Sequence, residues 1–240
     1  MMKLHFNADL RLRGDEYNAA QNIATVLQDC RSIEETNAYL RHMSAVFKGD
    51  GMYADVYGLS GIAVKVSLSQ YDGNYSLDYV KAVVEGRMHG YLKPEHYHFI
   101  PKIYGYMEYQ NEYTEEEFFV VFMEELTDIK YNENDMPNKL RAMYISDVLG
   151  QPVYRYKGLP ITPEDLAHMT DKELRLACRS MNRQVFGVNS APKEIVALLE
   201  VIRAFAQNFE NITKCGEFDM HCGNYMQRAN GEIVITDPIA

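Results

Sequence analysis

The chain has 240 residues, 47% of them apolar and 24% charged, enough to bury a substantial core without disulfide or metal staples and too apolar for a disordered chain. Twenty-four Lys and Arg against 34 Asp and Glu leave a net charge of −10, which argues against a protein that grips nucleic acid by its phosphates. No apolar run approaches the roughly 18 residues a membrane span needs, and the opening MMKLHFNADLRLRGDE is charged where a secretory signal needs an apolar centre. A cytoplasmic protein is expected, with no membrane partner and no direct nucleic-acid binding. Cys30, Cys178, Cys215 and Cys222 form no C-x-x-C pair, so reduced thiols are expected rather than a zinc site.

Residues 16–47 read as helical, with Ile23, Val26, Leu27, Ile33, Leu40, Met43 and Phe47 among the apolar positions and Asn22 and Ser32 as breaks or caps. The pattern changes at Lys48. Gly49-Asp50-Gly51 signals a turn, and the β-prone runs Ala54–Leu59 and Ile62–Val66 are separated by Ser60-Gly61, a tight-hairpin pattern. Residues 77–92 read as a helix. Ile100–Tyr109 and Phe118–Leu126 read as a strand pair joined by an acidic connection. Residues 128–170 hold several Pro and Gly and imply short elements. A helix start with Pro near the first turn is expected at Thr162-Pro163. A long amphipathic helix is expected from Ser190-Ala191-Pro192 to about Phe209. The tail reads as a hairpin, Tyr225–Gln227 and Ile233–Thr236, turned at Asn230-Gly231.

Three segments fit one chemistry. The first is Gly49-x-Gly51-x-Tyr53-Ala54-x-Val56, then Ala63-Val64-Lys65. Glycines at a strand turn let backbone close over phosphates, and a lysine on the next strand reaches them. The second is Glu85, on the expected helix, placed to pair with Lys65. The third is Asp219-Met220-His221-Cys222-Gly223-Asn224, followed by Ile235-Thr236-Asp237-Pro238. Phosphoryl transfer needs a carboxylate to orient the attacking hydroxyl and oxygen ligands for magnesium. A loop supplying Asp219 and Asn224, with a hairpin returning Asp237, supplies both. Taken singly, each of these residues is equally a turn former or a solvated side chain. Their joint spacing is the signal.

These motifs resemble the protein-kinase-like superfamily, over roughly residues 44–240. The resemblance implies an α+β, bilobal protein-kinase-like fold. Residues 1–43 would be a helical extension and 44–126 a small antiparallel-sheet N-lobe. Residues 127–240 would be a short, mostly helical C-lobe, since the sequence runs only three residues past Asp237. It implies ATP and Mg2+ as cofactors. Catalytic roles fall on Asp219, Lys65, Glu85 and His221, and metal binding on Asn224 and Asp237. Nucleotide binding falls on Gly49, Gly51, Tyr53, Val56, Ala63, Lys65, Met123, Glu124 and Leu126, the backbone of Glu124 and of Leu126 or a neighbour meeting the adenine. More closely, Phe218–Asn224 with Ile235–Pro238 is similar to the early serine/threonine protein kinases of T-seven-like bacteriophages. That similarity implies phosphorylation of host transcription and translation proteins, and of the kinase itself, in the cytoplasm of an infected bacterium. Two alternatives stay open. The D-x-H-x-G-N run also resembles aminoglycoside and choline kinases, and a kinase-like scaffold could act as a non-catalytic inhibitor of a host protein.

Overall fold

The computed structural model describes residues 2–50, 54–68, 75–110, 117–129, 155–156, 159–160, 163–187, 189–219 and 222–239. The chain is a mixed α+β structure built on a six-stranded antiparallel sheet. Its strands are β1 (Met2–Phe6), β2 (Val46–Asp50), β3 (Ala54–Leu59), β4 (Ile62–Leu68), β5 (Ile103–Gln110) and β6 (Glu117–Glu124), in the spatial order β1-β5-β6-β4-β3-β2. Ser60 and Gly61 turn β3 into β4 with positive φ of 55° and 77°, the geometry that suits a two-residue hairpin on twisted strands.

Alternation gives this sheet two different faces. On one, Val64, Val66, Val120 and Phe122 pack with Tyr17, Leu27 and Leu40. The last three come from α1 (Asp15–Leu27) and α2 (Ile33–His42). Ser32 caps α2 by accepting from the Glu35 amide, as expected, whereas Asn22 lies inside α1 and breaks nothing. The first 43 residues are therefore not purely helical. Met2–Phe6 adds an edge strand to β5, and the two helices complete the core of the same sheet. Residues 46 and 47, read as the end of a helix, are strand.

The other face packs on α3 (Ser76–Val84), whose Leu77, Val80 and Val84 meet Ile103, Tyr106, Phe119 and Val121. The helix expected over 77–92 stops early. Gly86, in the left-handed region with φ 71°, ends it, and a separate 3-10 turn follows at Arg87–Gly90. The far side of α3 carries Tyr79 and Ala82 into a second core with Leu174, Leu198, Phe205, Ile233 and Ile235.

That second core is built from α4 (Pro163–Ala167), α5 (Asp171–Phe186), α6 (Lys193–Gln207), α7 (Phe209–Ile212) and a small sheet. The sheet joins β7 (Thr127–Asp128) to the hairpin of β10 (Tyr225–Gln227) and β11 (Ile233–Ile235); a separate two-stranded piece pairs β8 (Arg155–Tyr156) with β9 (Leu159–Pro160). The long helix α6 follows the sequence pattern, burying Ile195, Leu198, Leu199, Ile202 and Phe205 along one stripe. α5 lay outside the sequence reading, although Thr170 and Glu173 form a reciprocal capping box at its start. Among the described residues no helix is long and apolar enough to cross a membrane.

Candidate functional site

Lys65 sits on β4, opposite Val56 of β3 and Val121 of β6. Paired residues share a face, so Lys65 projects from the α3 face together with Val56 and with Ala63 and its own partner Met123. Gly49, across from Val56 on β2, borders the same face. A Cβ at Gly49 would meet nothing within 4 Å, so packing leaves that position open. Leu126 follows β6 and is half-buried. Val56, Ala63 and Met123 thus give this face an apolar strip with Lys65 beside it.

The cation has a partner from the other end of the chain. Lys65 Nζ lies 2.7 Å from Asp237 Oδ2, a contact across 172 residues of sequence. Both side chains are about three-quarters buried. Asp237 follows β11, and Asn224 precedes β10, so the terminal hairpin brings them side by side. Two bonds zip the segments together, with the Thr236 amide and hydroxyl both donating to the Asn224 carbonyl, at 2.9 and 3.2 Å. Asp219 is tied to the same strip, its amide donating to the Pro238 carbonyl at 3.0 Å next to the Phe218–Ile239 bridge.

Asn224 is buried, at 9% exposure, and a buried amide must find partners. Its Nδ2 donates to the Asp219 carbonyl at 2.6 Å and to Asp219 Oδ2 at 3.1 Å. That orientation, which the hydrogen-bond network dictates, leaves Oδ1 as an acceptor. Among the described residues neither Asn224 Oδ1 nor Asp237 Oδ1 accepts a hydrogen bond. Two hard oxygen donors on adjacent segments suit magnesium, which binds one or two protein oxygens and fills the rest of its shell with water and phosphate. The residues present are compatible with such an ion, and Asn224 and Asp237 are the two that would hold it.

α3 holds this arrangement from behind. The Tyr79 hydroxyl donates to the Ile235 carbonyl at 3.2 Å, two residues before Asp237. Burial first, and the Asp237 charge second, push the Tyr79 phenol well above its ordinary pKa, so it stays a neutral donor. Asp78 accepts from the Thr213 hydroxyl at 2.7 Å, and the same Oγ1 accepts from the Gly216 amide, at the start of the segment leading to Asp219. Gly216 is required there, because a Cβ would stand 2.5 Å from Ile239 Cγ2.

One expectation needs correction. Glu85 does not pair with Lys65. It occupies the C-cap of α3, where Gly86 ends the helix, and its carboxylate accepts from Arg87 Nε at 3.0 Å in a half-exposed pair. The Glu124 amide donates to the Lys102 carbonyl at 2.9 Å, so a base meeting this backbone would meet its carbonyl instead. The Glu124 side chain, which the sequence reading left without a role, is instead buried and bound by Arg228. His221, Gly51 and Tyr53 lie outside the described residues. Sequence spacing also missed Arg228, Tyr79 and Thr236, whose partners all lie on elements distant in sequence or across the terminal hairpin.

The chain matches no protein-family model and no curated protein.

Proposed function

We propose that the protein is a magnesium- and ATP-dependent serine/threonine protein kinase on a bilobal protein-kinase-like fold. Its substrates would be host proteins of an infected bacterium, with the kinase itself as a further target. The single observation that carries the reading is the meeting of Lys65 with Asp237, beside an Asn224 bonded to Asp219. Four residues that the motif resemblance singled out, Lys65 lying far from the other three in sequence, meet in two contacts beside the terminal hairpin. In this reading the apolar strip of Val56, Ala63 and Met123 receives the base, and Lys65 contacts the phosphates. Asn224 and Asp237 would hold a magnesium ion, which when bound would supply charge neutralisation at the transferred phosphoryl group. Asp219 orients the substrate hydroxyl and accepts its proton as the oxygen–phosphorus bond forms and the bond to ADP breaks. Positioning and charge neutralisation carry such a reaction, so few groups are needed.

The test is intact mass after incubation with Mg·ATP and casein, beside Asp219→Asn and Lys65→Met. Phosphate is expected on protein with the wild type, with losses on the order of 100-fold or more in either variant. Equal transfer by Asp219→Asn would sink the assignment of that residue. Nucleotide binding without any protein acceptor would turn the search to small-molecule substrates.

A further inference from the structure

Glu124 ends β6 and Glu125 follows it, and each reaches a cation on a different segment of the chain. Glu124 points inward. Its carboxylate takes a two-pronged grip from Arg228, Nε to Oε2 at 2.9 Å and Nη2 to Oε1 at 2.7 Å, and Oε1 also accepts from the Lys102 amide at 2.8 Å. Arg228 donates further to the Ile100 carbonyl at 3.0 Å, to the His98 carbonyl, and to Glu232 at 3.3 Å. The guanidinium is almost saturated, and both side chains are close to fully buried, at 14% and 10% exposure. Burial opposes the Arg228 charge, but the bonds and charge of Glu124 outweigh it and hold the group protonated.

Arg228 is the residue after β10, four positions past Asn224, in the hairpin whose second strand delivers Asp237. Glu124 ends the strand paired with β4, which carries Lys65. The Arg228 fork thus joins the segment of metal-ligand residues directly to the sheet that carries the lysine. Planar, bidentate pairing fixes orientation as well as distance.

Glu125 points outward. Its Oε1 lies 2.5 Å from Lys48 Nζ, with both partners more than a third exposed. Lys48 sits at the register shift between Phe47 and Gly49 on β2. The pair crosses Gly58, where a Cβ would stand 2.4 Å from Lys48 Cε and 3.4 Å from Glu125 Oε1. Gly58 pairs with Ala63, on the face of Lys65. The bare glycine is what lets this exposed arm lie across the sheet.

We propose that the side chains of Glu124 and Glu125 are the positioning residues of this cleft, Glu124 through Arg228 setting Asn224 and Asp237 against Lys65, and Glu125 through Lys48 holding the glycine-bearing strand over the nucleotide face. The inference rests on the nucleotide reading above. The buried arm acts on the reacting geometry and the exposed arm on retention of the nucleotide. A displacement of about 1 Å at a reacting centre lowers turnover by up to roughly 100-fold. An exposed, salt-screened pair changes affinity by no more than about fivefold.

The experiment measures the Kd of magnesium with a fluorescent ATP analogue, and the kcat of phosphate transfer to casein, for wild type, Arg228→Lys and Lys48→Met. Arg228→Lys keeps the charge and loses the fork. Because a lone buried Glu124 could prevent folding, the double variant Glu124→Met, Arg228→Met is made beside it, with circular dichroism to verify the fold. The expected result is a kcat lower by about 10- to 100-fold in the folded Arg228 variants with Kd close to wild type. For Lys48→Met, Kd rises by up to about fivefold and its salt dependence is lost. Wild-type turnover in both Arg228 variants overturns the positioning role while leaving the kinase reading intact. A wild-type protein that neither binds the analogue nor transfers phosphate removes both.

Discussion

The Tyr79 hydroxyl is a single buried donor with a single buried acceptor, the Ile235 carbonyl. It fastens α3 to the strand leading into Asp237. Replacing it by Phe removes the donor and leaves the carbonyl buried and short of a partner. Tyr79→Phe is expected to destabilise the fold by about 1–3 kcal/mol, read from urea unfolding with an unchanged slope. A loss well under 0.5 kcal/mol would mean that the bond adds nothing beyond what water supplies in the unfolded chain. At this scale the sequence was informative where chemistry restricts the residue type. Lys65, Asp219, Asn224 and Asp237 stood out because their joint spacing resembles what phosphoryl transfer would need, and the fold brings Lys65 to Asp237 and Asn224 to Asp219. Tyr79 and Arg228 did not, because a tyrosine or arginine gains meaning only from its partner, 156 residues away for Tyr79 and 104 away for Arg228. Glu85 was placed by spacing alone, and one left-handed glycine after it was enough to turn its carboxylate to Arg87.

The β3–β4 hairpin carries Val56, Ala63 and Lys65, and its two-residue turn sets their register. Gly61 adopts φ 77° and a Cβ there would meet nothing within 4 Å. Any effect of a side chain at this position is therefore backbone strain and not crowding. Gly61→Val is expected to destabilise by about 1–2 kcal/mol, and Gly61→Asn by less than half of that, since Asn tolerates the left-handed region. Thermal or urea unfolding of the two variants checks the order, and equal losses would point to a rearranged turn. This hairpin and α6 were legible because each has a strong local signal: a Ser-Gly turn between β-branched runs, and an apolar stripe at helical spacing. β1 was not: MKLHF does alternate apolar and polar residues, but five residues with no turn signal beside them are a short run, and the strand is an edge held by β5, a partner about a hundred residues away. α5 was missed for another reason. Its apolar stripe is thin, with Leu174, Ala177 and Cys178 buried among many charges, and its clearest signal is the cap at Thr170 rather than its interior.

The sheet and the helical part share α3 and the connection between α3 and β5, and that connection contains a buried imidazole. His96 is 3% exposed in a 3-10 turn at Pro94–Phe99. Its Nε2 lies 3.1 Å from Glu200 Oε2 on α6, and Lys93 Nζ lies 3.3 Å from the same oxygen. Burial is the largest influence and pushes the imidazole below its ordinary value of 6.5; Lys93 pushes the same way, while Glu200 and Glu95 oppose it only in part. The folded chain thus binds this proton less readily than the unfolded chain does. Below pH about 6.5 the unfolded state carries more protons, so stability rises with pH up to that point and levels off above it. The more exposed carboxylates act in a different window. Asp171, held low by Arg203, and Glu232, held low by its bond to Asn230 and by Arg228, lose their contribution only as pH falls below about 4.5. Urea unfolding between pH 5.5 and 7.5 is therefore expected to show a positive slope confined to the lower part of the range. His96→Gln, which keeps a polar group toward Glu200 and cannot take up a proton, should flatten it. A slope that survives the substitution would assign the titration to another group. A slope of the opposite sign would mean that Glu200 stabilises the imidazolium more than burial penalises it, and that the α3–β5 connection is held to α6 by an ion pair rather than by a neutral hydrogen bond.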